Sequence, residues 1–269
     1  MRTVALLGKC YGRYTHLGLE KVSRHLEGLL DGLDIEVNSV EPDAKGWVKV
    51  VLSGEDEEVA VSYLEKRFGF ALGTIEDVVS GRDLRGKIVD SGSVGYGLYV
   101  DLGINHPKQV DALVPLHELR AQLVRNCRVS LREIVGTFCL FDNLTLGITP
   151  TKVDRDQSTI EAALSNPQLS VLNGWEEMNL ERIIVMGATS RQVKSSIARS
   201  GHRRDILRVE DLGILESSVV CKLGTHAKGL IPKFGRFLRG VSMHVFLPKS
   251  VRKLRDIEQV SVEVDGIGQ

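Results

Sequence analysis

A stretch of this sequence occurs twice in similar form, and this repeat constrains the architecture more than any single residue does. Residues 87–103 (KIVDSGSVGYGLYVDLG) align without a gap with residues 208–224 (RVEDLGILESSVVCKLG). After a short spacer, residues 112–115 (ALVP) match residues 229–232 (GLIP). A repeat defines a recurring structural unit before individual side chains define any chemistry. The sequence therefore predicts two related β units.

The bulk composition is that of a globular chain with room for two domains. The 269 residues are 42% hydrophobic and 26% charged, which is ordinary for a folded protein. No apolar run approaches the roughly 20 residues of a membrane helix, and the apolar stretch Val4–Leu7 is too short for a signal peptide. The four cysteines include no Cys-x-x-Cys pair, which argues against a zinc site or a disulfide framework. We therefore expect a cytoplasmic protein with no membrane partner, metal or cofactor.

The net charge of zero hides an uneven distribution of charged residues. Residues 1–180 hold 19 Lys and Arg against 26 Asp and Glu, whereas residues 181–269 hold 16 against 9. Such an asymmetry is typical of a basic surface with a polyanionic partner. It also fits two parts of one chain that attract each other within the fold. The charge distribution alone leaves both interpretations open.

Hydrophobic periodicity predicts an α+β fold of three modules. Residues 1–80 read as a small α/β module in the order β-α-β-β-α. Residues 83–150 are rich in Gly, β-branched and aromatic residues, which favours a β module of short strands separated by tight turns. Residues 151–269 read as a second, basic α/β module, with a degenerate OB-like β unit at about 205–250.

Two local assignments complete this prediction. Ser158 is a good helix N-cap residue, so we expect a short helix over Ser158–Leu164, within a connection between the two halves. Apolar and polar residues alternate from Val260 to Val264, which predicts a final strand.

The central module also carries a family pattern. Gly86 is followed by a strand, then by YGLYVDLG at residues 96–103 and by ALVPLHEL at residues 112–119. This pattern resembles the S-one-type RNA-binding domain, an OB barrel named for a ribosomal protein. Pro115 stands where that family usually has His. The segment Arg128–Ile148 departs from the family's closing strands.

The resemblance implies RNA contact by three side chains of this module. Tyr96 and Tyr99 hold the family's two aromatic positions, and His117 stands where the family usually has Ser. An exposed ring stacks a nucleobase with about 1–3 kcal/mol. In a regular strand Tyr96 and Tyr99 would point to opposite faces, whereas a β-bulge near Gly97 would bring both tyrosines toward one surface. Alternatively, both rings pack in a β core with their hydroxyls at its rim.

Cations near both β units are the candidates for phosphate contact. In the second unit Ser217 and Val220 align with the two tyrosines, so that unit has no stacking rings. We expect phosphate neutralisation there instead. Phe234 and Phe237 interleave with these cations and fit either a base platform or the apolar stripe of a helix. The candidate phosphate-binding residues are Lys87, Arg125, Lys222, Lys228, Lys233 and Arg236.

Other chemistry is weakly represented in the sequence. The turns Gly8–Arg13 and Gly187–Ser190 each join a strand to a helix and fit either phosphate binding or ordinary helix caps. Cys10 has no base placed beside it by sequence, so we predict no catalytic residue and no metal site. A second basic stretch, Lys249–Arg255, fits either phosphate contact or a solvated helix face.

A second resemblance covers most of the chain. The stretches Asp205–Gly213, Cys221–Thr225 and Gly229–Pro232 are similar to an archaeal protein family of unknown function. This resemblance implies no particular activity.

These observations predict a non-enzymatic protein that binds single-stranded or structured RNA. The expected setting is the ribosome, RNA polymerase or an RNA-processing complex. Two alternatives stay open: an enzyme acting on a phosphorylated small molecule, with its anion site at the Gly8–Arg13 turn, and an assembly factor that binds protein through the β module.

Overall fold

The computed structural model describes residues 1–11 and 15–256. These residues form both helices and strands, and five of the strands close into a β-barrel. The fold therefore agrees with the predicted α+β class. The predicted strand Val260–Val264 lies outside the described residues.

The N-terminal segment has the predicted β-α-β-β-α order. Its elements are β1 (Arg2–Lys9), α1 (Thr15–Leu29), β2 (Glu36–Pro42), β3 (Trp47–Ser53) and α2 (Glu57–Arg67). The sheet order is β1-β3-β2 with antiparallel pairing. Strand β3 takes the centre because Val48, Val50 and Leu52 are fully buried on one face. The carboxylate of Asp43 accepts hydrogen bonds from two backbone N–H groups and closes the β2–β3 turn.

The central segment folds into a closed barrel. Its elements are β4 (Leu84–Val89), β5 (Gly97–Ile104), β6 (Val110–Pro115), α3 (Leu116–Val124), α4 (Leu131–Phe138), β7 (Thr145–Asp154) and β8 (Thr159–Leu164). The strand order is β4-β5-β6-β8-β7, with β6 and β8 parallel and the other described pairs antiparallel. A five-stranded barrel with this non-sequential order is OB-like.

The last strand of the barrel corrects two predictions. The expected helix over Ser158–Leu164 is wrong, because β8 occupies these residues and the barrel extends past residue 150. Along β8, Ile160, Ala162 and Leu164 are buried and alternate with more exposed residues, which is the period of a strand. Ser158 has a φ of 52° and belongs to the turn before the strand.

The C-terminal segment is a second α/β region. Its elements are α5 (Asn166–Glu177), β9 (Arg182–Met186), α6 (Ser190–Ser200), β10 (Ile206–Asp211), β11 (Glu216–Cys221), α7 (Ala227–Gly235), β12 (Ser242–Phe246) and α8 (Pro248–Arg255). A capping box between Thr189 and Gln192 starts α6, and Gly201 ends it with a φ of 77°. Strands β9 to β12 form one sheet in the order β10-β11-β9-β12.

This sheet corrects the prediction of a degenerate OB-like unit at residues 205–250. Within the described residues, β10 and β11 lie in an open four-stranded sheet and close no second barrel. The reason is β9, which precedes the repeated window and is buried along its whole length. A strand buried on both faces belongs in the middle of a covered sheet. The resulting β-α-β-β-α-β order is that of a split βαβ, ferredoxin-like unit.

The structure places an internal similarity elsewhere in the chain. The order β1-β3-β2 of the N-terminal sheet and the order β9-β11-β10 of the C-terminal sheet are the same when counted from the first strand of each. In both, a helix follows the first strand and another follows the third. The repeated architecture is therefore β-α-β-β-α, on either side of the barrel in sequence.

The described chain divides into two compact units. The first contains Met1–Gly73, Asn143–Thr145 and Ile183–His244, and the second contains Thr74–Asp142, Leu146–Arg182 and the described residues from Val245 onward. The first unit has one apolar core to which both α/β segments contribute. Ile214 and Leu215 are buried there beside residues of α1, β3 and α2.

Candidate nucleic-acid interface

The two predicted tyrosines lie side by side at the start of β5. Their hydroxyl oxygens are 2.7 Å apart, and their ring centroids are 6.2 Å apart with the ring planes 85° to one another. Tyr96 is 55% exposed and Tyr99 is half-buried. The pair is therefore a surface feature of the barrel, and neither ring belongs to its core.

Backbone contacts at the start of β5 fix the positions of Tyr96 and Gly97. Tyr96 immediately precedes the strand, and its backbone carbonyl accepts a hydrogen bond of 2.7 Å from the N–H of Leu116. A Cβ at Gly97 would lie 2.6 Å from the carbonyl oxygen of Val114, so the close approach of β6 requires glycine. The β5–β6 register is regular from Gly97 to Asp101, so the two rings meet without a bulge in this part of the strand.

The contact between the hydroxyls also affects the ionisation of Tyr99. The hydrogen bond to Tyr96 raises the pKa of Tyr99, and burial, the Tyr96 hydroxyl and the charge of Asp111 raise it further. Tyr99 is accordingly a neutral phenol at physiological pH. A neutral ring can stack on a base without repelling the neighbouring phosphates.

His117 and Arg125 lie at opposite ends of α3. The side chain of His117 is 78% exposed, with its Nε2 atom 3.7 Å from a carboxylate oxygen of Glu118. Because the N–H of the preceding residue bonds to Tyr96, His117 belongs to the same edge of the barrel as the tyrosines. Arg125 is the exposed C-terminal cap of α3, about 12 Å further along the helix axis. The fold thus brings His117, but not Arg125, to the aromatic pair.

Lys87 is a correction to the predicted site. Its side chain is fully buried, and its cross-strand partner in β5 is Asp101, which is 3% exposed. Opposite charges at directly facing positions stabilise a sheet. A fully buried ammonium group cannot reach a phosphate, so Lys87 is a structural residue of the barrel.

The remaining predicted cations belong to the first unit, whereas the tyrosines belong to the second. Lys222 follows β11, Lys228 and Lys233 lie on α7, and Arg236 follows that helix; all four are exposed. Each unit therefore carries its own candidate surface, an aromatic one on the barrel and a cationic one at α7.

The phenylalanines between these cations have different roles. Phe234 is fully buried, and its carbonyl accepts a hydrogen bond of 2.8 Å from the Ser196 hydroxyl. Phe237 is half-buried, with the guanidinium carbons of Arg199 and Arg236 lying 4.5 Å and 4.7 Å from its ring centroid. One phenylalanine thus belongs to the core, and the other holds two guanidinium groups at the surface.

Helix α8 carries the second basic stretch, and two of its arginines contact other residues of the second unit. Arg255 pairs with Glu176 and donates a hydrogen bond of 2.9 Å to the side chain of Asn173. Arg252 donates a hydrogen bond of 2.8 Å to the side chain of Asn179. These two arginines attach α8 to α5 and the turn after it. Lys249 and Lys253 remain exposed.

The strand-to-helix turn after β1 is described only as far as Tyr11. Burial raises the pKa of Cys10 to about 11, and the charge of Glu216 acts in the same direction. The Tyr11 hydroxyl donates a hydrogen bond of 2.7 Å to the buried Glu216. A thiol in this environment stays protonated and is a poor nucleophile. Residues Gly12 and Arg13 of the predicted anion site lie outside the described part of the chain.

The described part of the chain contains neither a metal-binding cluster nor a membrane-spanning helix. The described ranges contain no cluster of three or more His, Cys, Asp or Glu side chains able to hold a metal ion. No helix in the described part of the chain is both long and apolar enough to cross a membrane.

One cationic cleft was missed by the sequence prediction. It lies in the first unit between α1 and α6, and it includes Arg191, Arg199 and Phe237. The signal was present in the spacing, since Arg191 and Arg199 are eight residues apart and share one face of a helix. The prediction missed it because it was built on the repeated β stretches.

Comparison with known proteins places the chain in a family. Family models match residues 3–71 (DUF2110 N-terminal domain), residues 78–176 (DUF2110 central domain) and residues 180–246 (DUF2110 C-terminal domain). None of these three is an S-one-type or OB model. No curated protein matches the chain.

Among solved structures, the chain is similar to a crystal structure of a protein from Thermus thermophilus, at 13% identity and a TM-score of 0.16. The alignment covers 94% of this chain and 42% of the Thermus thermophilus chain. A TM-score this low carries no argument about the fold. The three family models follow one another along most of the sequence and together cover far more than half of it. The chain belongs to the DUF2110 family.

Proposed function

We propose that this protein is a non-enzymatic RNA-binding protein that contacts single-stranded or structured RNA through an S-one-type surface of its barrel. The observation that carries the proposal is the exposed Tyr96–Tyr99 pair on an OB-like barrel. In OB barrels the second and third strands form the face that binds oligonucleotides. Here these strands are β5 and β6, and the pair lies at the start of β5.

The side chains of this surface divide into two roles. Tyr96 and Tyr99 offer rings for stacking, and His117 offers a ring with hydrogen-bonding nitrogens at the same edge. Arg125 contacts the RNA backbone further along α3. The cations of the first unit neutralise additional phosphates, and they are Lys222, Lys228, Lys233 and Arg236. The proposed setting is the cytoplasm, on the ribosome, RNA polymerase or an RNA-processing complex.

Salt dependence tests the proposal directly. We expect the affinity for a single-stranded oligoribonucleotide to fall with rising salt, with a log–log slope of about −0.7 for each phosphate contacted. Filter binding over a series of potassium chloride concentrations measures this slope. Double-stranded DNA of the same length is the competitor that tests for RNA preference. A flat response, or no binding at low salt, would count against RNA as the ligand.

Replacing Tyr96 by Ala tests the stacking role. We expect an affinity loss of about tenfold to a hundredfold, because an aromatic–base stack contributes about 1–3 kcal/mol. Tyr96→Phe keeps the ring and should retain most of the affinity. Tyr63→Ala is the matched control, since Tyr63 is an exposed tyrosine of α2 in the first unit. If Tyr63→Ala and Tyr96→Ala weaken binding equally, the pair has no specific role.

A further inference from the structure

The cleft between α1 and α6 has the size of a small-molecule site. Its volume is about 450 Å3, within the range typical of ligand pockets. Lys21 and Arg24 line it from α1, and Arg191 and Arg199 line it from α6. The described residues that line the cleft include no Asp or Glu. Every charged side chain in the described lining is therefore a cation.

Helical spacing brings these cations to one place. Arg191, Ser195 and Arg199 follow each other at intervals of four residues and form one stripe of α6, and Lys21 and Arg24 are three residues apart on α1. Arg24 also contacts Glu20 at 3.4 Å, but both side chains are about 70% exposed, so this pair contributes little. The two stripes face one cleft, where an anion would meet several donors at once.

One wall of the cleft is suited to a flat ring. Phe237 lines it, and the guanidinium carbon of Arg199 lies 4.5 Å from the Phe237 ring centroid. A cation held over an aromatic face is fixed in orientation. The exposed side of a guanidinium plane fixed in this way is a surface on which nucleobases stack in RNA complexes.

The histidine that lines the cleft adds no charge to it. His25 is buried there. Burial lowers its pKa; Asp211 opposes this shift, whereas Arg67, Lys194 and Arg191 add to it. The imidazole is therefore neutral at physiological pH, and the charge of the cleft comes from its lysine and arginines.

We infer that this cleft binds a nucleoside phosphate, with the phosphate held by Arg191, Lys21 and Arg24 and the base stacked on Arg199. The phosphate belongs either to a free nucleotide or to the phosphorylated end of an RNA chain. The site goes beyond the RNA contact proposed for the barrel, because all of its residues belong to the first unit.

Calorimetric titration of the full chain with adenosine 5′-monophosphate tests the site. We expect saturable binding of the monophosphate and none of adenosine. Arg191→Ala should weaken binding roughly tenfold or more, since charge-assisted hydrogen bonds to a phosphate are among the strong ones. Arg199→Ala should weaken binding by about as much, because the base loses the surface on which it stacks. Lys194→Ala is the matched control. Lys194 is an exposed residue of the same helix outside the cleft lining, its charge reaches the cleft only through its effect on His25, and the variant should weaken binding far less than either arginine variant.

Two further comparisons separate the parts of the ligand and its source. Phe237→Leu should weaken binding of the nucleotide but leave ribose 5-phosphate unaffected. A 5′-phosphorylated oligoribonucleotide that competes with the nucleotide, when its 5′-hydroxyl form does not, identifies an RNA end; failure of both to compete identifies a free nucleotide.

The inference would be overturned if adenosine bound as well as its monophosphate, if Arg191→Ala behaved like Lys194→Ala, or if none of the probes bound at millimolar concentration. Tyr96→Ala should leave nucleotide binding unchanged. A failure at the cleft is thus distinguishable from a failure of the barrel as an RNA-binding surface.

Discussion

Replacing Lys87 by Met should lower the free energy of unfolding by about 3–5 kcal/mol. Lys87 is fully buried and faces the buried Asp101 across the β4–β5 register. Removing the ammonium group takes away a positive charge that directly faces a buried carboxylate in a region of low dielectric, which is costly although Met has a similar volume. The carboxylate of Asp101 keeps the hydrogen bond that it accepts from the N–H of Gly103. Urea unfolding followed by circular dichroism measures the change.

Two companion variants make this prediction specific. Arg82→Met changes an exposed residue just before β4 and should alter stability by less than about 0.5 kcal/mol. The double variant Lys87→Met with Asp101→Asn removes both charges and should recover part of the loss. If Lys87→Met kept full stability but lost RNA affinity, the buried position would be wrong and the phosphate role would stand.

Replacing Arg255 by Ala should lower the free energy of unfolding of the barrel unit by about 2–4 kcal/mol, because several charge-assisted hydrogen bonds are lost together. Arg255 donates to the carbonyl of Leu123 at 2.7 Å and to Asn173 at 2.9 Å, and it pairs with Glu176. The side chain of Glu176 is 14% exposed, so its carboxylate would remain largely buried without this partner. Thermal and urea unfolding of the purified variant measure the loss.

Lys253 provides the control for Arg255. It is an exposed cation of the same helix, and Lys253→Ala should change stability by less than about 0.5 kcal/mol. Equal effects of the two substitutions would mean that α8 contributes only general charge. In that case the basic stretch would again be a candidate for phosphate contact.

Much of the fold could be predicted from local sequence signals. The β-α-β-β-α order of the N-terminal segment followed from apolar periodicity and turn residues. The OB-like barrel was implied by the resemblance of residues 96–103 and 112–119 to the S-one-type domain. The helix expected at Ser158–Leu164 was wrong because a good N-cap residue and a short apolar run fit a strand equally well. Closure of the barrel, which is a tertiary requirement, selects the strand.

The repeat illustrates a second limit. Residues 208–224 do form a strand, a turn and a strand like residues 87–103. However, they pair with β9 in an open sheet that also contains β12, rather than with the strands of a barrel. A gapless alignment of two short segments contains no information about strands that lie far away in sequence and pair with them in the sheet. Local similarity therefore predicted the elements correctly and their assembly incorrectly.

The candidate site was only partly predictable for similar reasons. The tyrosines were found because the motif places them, and the exposure of Tyr96 agrees with a binding role. Lys87 was wrongly assigned to phosphate contact because strand alternation places it on the other face of β4 from the buried Ile88, and we expected that face to be exposed. The sequence does not show that this face of β4 is also buried. Arg199 and Phe237 meet through tertiary packing, although the spacing of Arg191 and Arg199 was visible.

The division of the first unit has a consequence for the order in which it can form during synthesis. Its apolar core includes Ile214 and Leu215, which leave the ribosome only after every strand of the barrel has been made. The N-terminal sheet is among the first segments to leave the ribosome, but its apolar core is complete only after these two side chains have been synthesised. The barrel strands, contiguous from Leu84 to Leu164, can pair while that earlier sheet is still unfinished.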